Sequence, residues 1–359
     1  MNFSLLDKQK GYKIIGNKIK FIFSKNLYQV QQFKNITINQ VGVLGSFTAW
    51  NETWDLNKNC NNIWTLETEL NKINIPGNCG HPEFRFIINN KRTLDASQDL
   101  PLDYKFYDDH GTGYKNIILF SDDNPHKIKN INHRINTYKT KYKSKFNLTN
   151  FRAVNLGNLG ENNLYRSYHP FKKSRPEHPL EDKRIKVLQN LIKKHNINSI
   201  INLSDTQIDI PQEFKYYKNL FEKGNIIYTN RDYDYDIFYY ITKDNNFKKL
   251  IRNIISFIIE KSPPYLVHCR IGTDRTGLII AILAAFMGAE WKDIVNDYKK
   301  SNKLGIGEYR DEELLRYAFK RLLNDSLLKE NLQEKVTTYL QKKVQLSKQN
   351  LTDLRVKLK

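Results

Sequence analysis

Cysteine is scarce in this chain. Cys60, Cys79 and Cys269 are the only three in 359 residues, too few to build a disulfide framework in a protein of this length. A Cys60–Cys79 bridge is open only in an oxidising compartment, and two reduced thiols are the simpler reading. Long apolar runs are also missing. No stretch approaches the ~18 residues that span a bilayer, and the N-terminal MNFSLLDKQKGYKIIGNKIK has neither an apolar h-region nor a small-residue cleavage site. A cytoplasmic protein is the default expectation, with export through another kind of signal left open. The eight histidines are scattered without ligand spacing, so neither a metal nor any other cofactor is expected. Acidic residues are outnumbered, 38 against 58 Lys and Arg, for a net charge of +20. That excess favours polyanionic partners such as a phosphorylated protein, a phosphoinositide or an anionic membrane, although a general richness in Lys, Asn and Ile produces the same charge without selection. No nucleic-acid partner is expected.

What is present suffices for packed domains. Hydrophobic residues make up 40% and charged residues 27%, an ordinary globular composition, and the length points to two domains. In the first third, KIKFIFS (18–24), QVGVLGSF (40–47), IWTLETEL (63–70), EFRFIINN (83–90) and KNIILF (115–120) are short β-rich runs separated by Gly, Asn, Asp and Pro. With no helical period between them, they predict an all-β sandwich over 1–125. The polar, basic stretch 126–145 reads as a linker. From 146 to 325, the buried-strand patterns INSIINLS (197–204), NIIYTN (225–230) and YLVHC (265–269) alternate with helical patterns at 182–196, 246–261, 276–289 and 290–300. That alternation predicts an α/β domain, a mostly parallel central sheet flanked by helices. The tail, 326–359, reads as a basic amphipathic helical extension with apolar residues from Leu332 to Leu358 at helical spacing. Such a helix packs back on its own domain or lies on a membrane surface or a partner.

Chemistry concentrates in His268-Cys269-Arg270-Ile271-Gly272-Thr273-Asp274-Arg275-Thr276-Gly277, which follows an apolar strand and opens an apolar helix. A loop from a strand end into a helix N-terminus turns successive N–H groups into one concave space. The helix adds about half a positive charge there. A phosphate dianion fits such a nest, and residues 270–276 (Arg270, Ile271, Gly272, Thr273, Asp274, Arg275 and Thr276) are the candidate phosphate-binding set. The same field favours a reactive thiolate at Cys269, the candidate nucleophile. Arg275, six positions on, has the planar fork that grips two phosphate oxygens as the phosphoryl group flattens. Thr276 has a hydroxyl for the departing thiolate, and Gly272 and Gly277 permit backbone approach that a Cβ hinders. His268 is expected to order the loop through hydrogen bonds.

This string resembles the His-Cys-x5-Arg-Thr-Gly signature loop of the cysteine-dependent protein tyrosine and dual-specificity phosphatases. NFRAVNLGNLGENNLYRS (150–167), with Phe151-Arg152 and Tyr165-Arg166-Ser167, is similar to the opening segment of the bacterial tyrosine/lipid phosphatases. The resemblance covers roughly residues 146–325. It implies a phosphomonoesterase working through a cysteinyl-phosphate, on phosphotyrosine or dual-specificity protein substrates, or alternatively on phosphoinositides or inositol phosphates. Arg270 beside the nucleophile favours a polyanionic head group, while Thr273 stands where lipid-active relatives often carry Lys. The leaving group needs a proton, for which a carboxylic acid is the usual donor. Two places compete: Asp274 within the loop, and the run Asp232, Asp234 and Asp236, of which Asp234 and Asp236 are the leading residues.

The N-terminal run VGVLGSFTAW (41–50), with IWTLETEL, EFRFIINN and YKNIILF, resembles the family 48 carbohydrate-binding module. On that pattern Trp50 falls on a sugar-stacking position, Arg85 on a basic one and Asn116 on a polar one, while Arg92 stands near the place of a second stacking Trp. The resemblance implies an immunoglobulin-like sandwich with either a glycan ligand, as in laforin-like glucan phosphatases, or a role as a scaffold for protein contact.

Overall fold

The computed structural model describes residues 3–27, 37–59, 62–107, 114–121, 125, 144–176, 178–206, 209–229, 238–304, 309–324 and 331–359. The chain divides into two compact units, Met1–Tyr138 with Tyr309–Leu314, and Lys139–Glu308 with Leu315–Lys359. The expected linker at 126–145 lies almost wholly outside the described residues.

The first unit carries helices α1 (Leu5–Lys10) and α2 (Leu70–Ile73) and strands β1 (Tyr12–Ile15), β2 (Lys18–Ser24), β3 (Val41–Gly45), β4 (Trp54–Lys58), β5 (Ile63–Glu69), β6 (Glu83–Ile88), β7 (Arg92–Thr93), β8 (Lys105–Tyr107) and β9 (Tyr114–Ile118). All pairings are antiparallel, in the order β1-β2-β5-β4-β3-β6-β9-β8, with β7 on β6. The expectation of an antiparallel sandwich-like domain holds. Strand β4 joins the two halves of the ladder. Its first residues pair with β3 (Val43↔Trp54) and its last with β5 (Lys58↔Trp64), carrying one ladder around as a half-barrel. Alternation places Ile19, Phe21 and Phe23 of β2 in the core. There Phe21 meets Phe84 edge-on at 5.2 Å, and Phe23 meets Phe86 at 5.3 Å and Trp64 at 5.5 Å, the geometry the ring quadrupole prefers.

The second unit is an α/β layer structure. Helices α3 (Lys145–Thr149), α4 (Glu181–Lys194), α5 (Lys215–Glu222), α6 (Asn245–Glu260), α7 (Asp274–Phe286), α8 (Trp291–Lys300), α9 (Glu312–Leu323), α10 (Leu332–Lys342) and α11 (Lys348–Leu358) accompany strands β10 (Arg152–Ala153), β11 (Leu164–Ser167), β12 (Ser199–Asn202), β13 (Ile226–Tyr228) and β14 (Tyr265–His268), α9 beginning in the first unit's segment. The sheet order is β10-β11-β14-β12-β13, parallel apart from β10. Strand β14 is central and buried at every position, which its unbroken apolar run requires in a sheet covered on both faces. Helix α7 is buried along its whole length, matching a sequence apolar on all sides. The six apolar residues of α6 at helical spacing, Phe247 to Ile258, all face inward.

The tail folds as two helices rather than one, broken near Gln345, whose φ is 62°. Leu332, Val336, Tyr339 and Leu340 of α10 are buried, as are Leu351, Leu354 and Leu358 of α11; α10 packs on α7 and α11 on α6. Arg355 lies over the Phe286 ring at 4.6 Å. The membrane-surface reading of the tail is therefore corrected, because the side chains that would enter a bilayer are spent on the domain's own core. No helix among the described residues is long and apolar enough to cross a membrane.

Candidate active site

Strand β14 delivers the chain into residues 269–273, and α7 starts at Asp274. The carbonyl groups of this turn are held from outside. Arg270 O accepts the His169 N–H at 3.1 Å and the Ser174 hydroxyl at 2.6 Å. Asn150 Nδ2 donates to Ile271 O and Gly272 O, both at 3.1 Å, and Arg166 Nη2 donates to Gly272 O at 2.6 Å. On the other side, the Gly272 N–H donates to Cys269 Sγ at 3.3 Å. With its carbonyls tied to the scaffold, the loop keeps an N–H donor on the sulfur at the positive end of a 13-residue helix. Gly272 is required here, since its φ is +79° and a Cβ would fall 2.1 Å from Ser167 O. Cys269, Asp274 and Arg275 are each 3–4% exposed. Thr276 is buried, and its hydroxyl has no hydrogen-bond partner among the described residues. Arg270 alone of the loop points to solvent, its Nη2 reaching Lys173 O at 3.2 Å.

The scaffold behind the loop is ionic. Arg152 Nε and Arg166 Nη1 each reach a carboxylate oxygen of Asp297 at 2.8 Å. Burial alone would raise the Asp297 pKa, but Arg166 and Arg152 outweigh it and hold the carboxyl well below its usual range. Burial, with Arg166 beside it, lowers Arg152 to about 10. Phe151-Arg152 and Tyr165-Arg166-Ser167 thus meet across the β10–β11 pair, where Arg166 bridges Asp297 and the loop.

A second cluster backs the other side. His169 Nε2 lies 2.8 Å from Asp205 Oδ2, and Lys172 Nζ and Asn202 Nδ2 also donate to that carboxylate. His169 Nδ1 accepts the N–H groups of Phe171 (3.3 Å) and Lys172 (3.0 Å). The ring is therefore neutral, with its proton on Nε2, and burial lowers its pKa to about 4. Burial raises Asp205, but its donors prevail and leave it far below the ordinary range. His268 stacks edge-on against His169 at 4.9 Å, and burial pushes it well below its ordinary value. Its Nδ1 is 3.4 Å from Cys269 O and its Nε2 3.4 Å from Tyr217 OH.

Of the candidate acids, Asp274 sits in the first turn of α7, where its Oδ1 accepts the Tyr239 hydroxyl at 2.9 Å. That hydroxyl is 2.8 Å from Tyr298 OH. Asp232, Asp234 and Asp236 lie outside the described residues. No group of three or more His, Cys, Asp or Glu among the described residues is arranged to hold a metal ion.

In the first unit, Trp50, Arg85 and Asn116 come together. The Arg85 guanidinium lies 5.7 Å from the half-buried Trp50 ring and its Nε donates to Asn116 Oδ1. Asn116 is buried and donates in turn to Glu83 at 2.7 Å. Glu83 is fully buried, which raises its pKa, and it also accepts the Cys79 N–H at 2.8 Å.

Sequence reading missed Asn150, His169, Asp205 and Asp297. Asp297 did leave a signal, as a carboxylate on the buried face of α8 beside Ile294, Val295 and Tyr298. The others act across the fold and carry no local pattern.

Residues 227–359 match the model of a family described as the tyrosine phosphatase family. No curated protein matches the chain. Among solved structures, the chain is similar to the core catalytic domain of the PP-IP phosphatase SIW14 from S. cerevisiae in complex with citrate, with 16% identity over 54% of this chain and 92% of that chain and a TM-score of 0.27. The family match takes in β14, which leads into Cys269, and helices α6 to α11, and this region has a cysteine-based phosphatase superfamily fold related to that of the tyrosine and dual-specificity enzymes.

Proposed function

We propose that the second unit hydrolyses phosphate monoesters through a cysteinyl-phosphate. The observation that carries this reading is the loop whose carbonyls are tied outward while an N–H meets Cys269 Sγ at the N-terminus of α7. The Cys269 thiolate attacks phosphorus, the P–O bond to the leaving group breaks, and the leaving oxygen takes a proton from a carboxylic acid. Water then attacks the phosphocysteine and gives its proton to the carboxylate left by the first step, the P–S bond breaks, and phosphate leaves as the thiolate is restored, stabilised by a hydrogen bond from the Thr276 hydroxyl. Arg275 grips the equatorial oxygens in both steps. The test is turnover of p-nitrophenyl phosphate without added metal, which Cys269→Ser abolishes.

For the acid we propose Asp274. Asp274→Asn is expected to lower kcat at least ~10²-fold, the scale of a lost proton donor, with phosphate binding intact. Full activity in that variant, together with loss in Asp234→Asn or Asp236→Asn, would move the role to that run.

The exposed Arg270 beside the nucleophile supports a substrate with further negative charge. Inositol phosphates and phosphoinositides supply it as additional phosphates; a phosphotyrosine or dual-specificity protein substrate supplies it as acidic neighbours. A panel of phosphopeptides, phosphoinositides and inositol phosphates separates these by kcat/KM.

A glycan ligand for the first unit is a second, independent reading. It is favoured by the convergence of Trp50, Arg85 and Asn116, the latter two on the neighbouring strands β6 and β9. Co-sedimentation with glycogen, lost in Trp50→Ala, is the expected result, and no binding by the wild type discards it.

A further inference from the structure

A groove of about 1160 Å³ opens beside the loop between α4 and residues 211–216, lined by Lys173, Lys186, Lys193 and Lys215 over a floor that includes Phe171 and Phe214. It adjoins the catalytic turn through Lys173, whose carbonyl takes the Arg270 guanidinium at 3.2 Å, and through the neighbouring Ser174 hydroxyl on Arg270 O. All four lysines are exposed. Two acids share the lining, and Asp182 is already engaged by Lys173 at 2.9 Å, so the cations prevail. The phenylalanine rings stack at 5.3 Å and 24° and offer an apolar ledge.

Charge and the apolar ledge point to the occupant. Lys186 and Lys193 stand seven residues apart on one helix, roughly 10 Å along its axis, and Lys173 and Lys215 share the lining. An inositol phosphate can meet these cations with its ring of phosphates but has no apolar group for the ledge. An extended acidic chain with an apolar residue for the ledge engages both, the cations by electrostatic complementarity. We infer that this groove docks the acidic flank of a phosphorylated polypeptide substrate and presents the phosphorylated side chain to Cys269. The inference rests on the proposed hydrolysis and assigns its substrate class.

The full chain and its Lys186→Glu/Lys193→Glu/Lys215→Glu variant are assayed on four substrates: p-nitrophenyl phosphate, a phosphotyrosine peptide flanked by Asp and Glu, the same peptide flanked by Asn and Gln, and inositol hexakisphosphate. In parallel, a fluorescent unphosphorylated acidic peptide is titrated by anisotropy. The wild type is expected to prefer the acidic peptide, and the variant to lower the acidic-to-neutral kcat/KM ratio at least tenfold, chiefly through KM, and to lose the anisotropy change. A wild type indifferent to the flanks, or a variant that keeps the acidic preference or loses only inositol hexakisphosphate turnover, overturns the docking role. If the wild type turns over none of the four, the reaction is wrong, and the anisotropy titration alone decides the groove.

Discussion

At the residue scale, three groups have little freedom to vary. Cys269 Sγ accepts an N–H from Gly272, and Gly272 holds a left-handed conformation against Ser167 O that no side chain tolerates. Gly272→Ala must shift the loop, so a loss of at least ~100-fold in kcat/KM is expected, the scale of a misplaced reacting group. Wild-type activity in Gly272→Ala would show that the cup does not depend on this turn. Arg275→Lys keeps the charge but loses the planar fork, and kcat is expected to fall while binding of inorganic phosphate weakens less, measured by steady-state kinetics against phosphate inhibition.

At the element scale, α7 and β14 hold the loop and the sheet around them holds both. Arg166, in β11, ties Asp297 of α8 to the carbonyls of Gly272 and Thr273. Removing one member of a buried ion pair strands the other and costs about 3–5 kcal/mol. Asp297 keeps Arg152 as a partner, so Arg166→Met is expected to lower the second unit's stability by less than that, about 1–3 kcal/mol for the loop carbonyls left without a donor, in urea unfolding, and to reduce kcat in the folded fraction. An unchanged midpoint would contradict the scaffold role. Much of this scale was legible in the sequence. Alternation in KIKFIFS marked β2, helical spacing from Phe247 to Ile258 marked α6, and a motif between an apolar strand and an apolar helix marked the loop. Strands β4, β7 and β8 were not, because WDLNK is mostly exposed and the other two are two or three residues long. The scaffold was not either: Asn150 meets Ile271 across 121 positions, and Arg166 meets Asp297 across 131. Contacts of that separation are fixed by packing and leave no spacing to read.

At the scale of the whole molecule, the charge of +20 now has a local expression in the groove beside the loop, while the apolar faces of the C-terminal helices are consumed in packing. Acid stability follows from the buried groups. His169 stays neutral down to a pKa of about 4, and His268 is also held well below its ordinary value. Between about pH 6.5 and 4 the unfolded chain therefore binds protons that the folded chain refuses, so stability rises with pH and is lost on acidification. Asp205 and Asp297, held low, add stability that is lost as pH falls below the ordinary carboxylate range. The Tm of the second unit is expected to decline from pH 7 to pH 5, with a shallower slope in His169→Asn; a flat profile would contradict the neutral burial of these rings. The most direct test falls on the chemistry of one sulfur. Acid-quenched turnover of p-nitrophenyl phosphate, followed by mass analysis of the peptide containing residue 269, is expected to show a phosphoryl group on Cys269 that Cys269→Ser lacks; turnover retained in Cys269→Ser, or a phosphoryl group found on another residue, would contradict it.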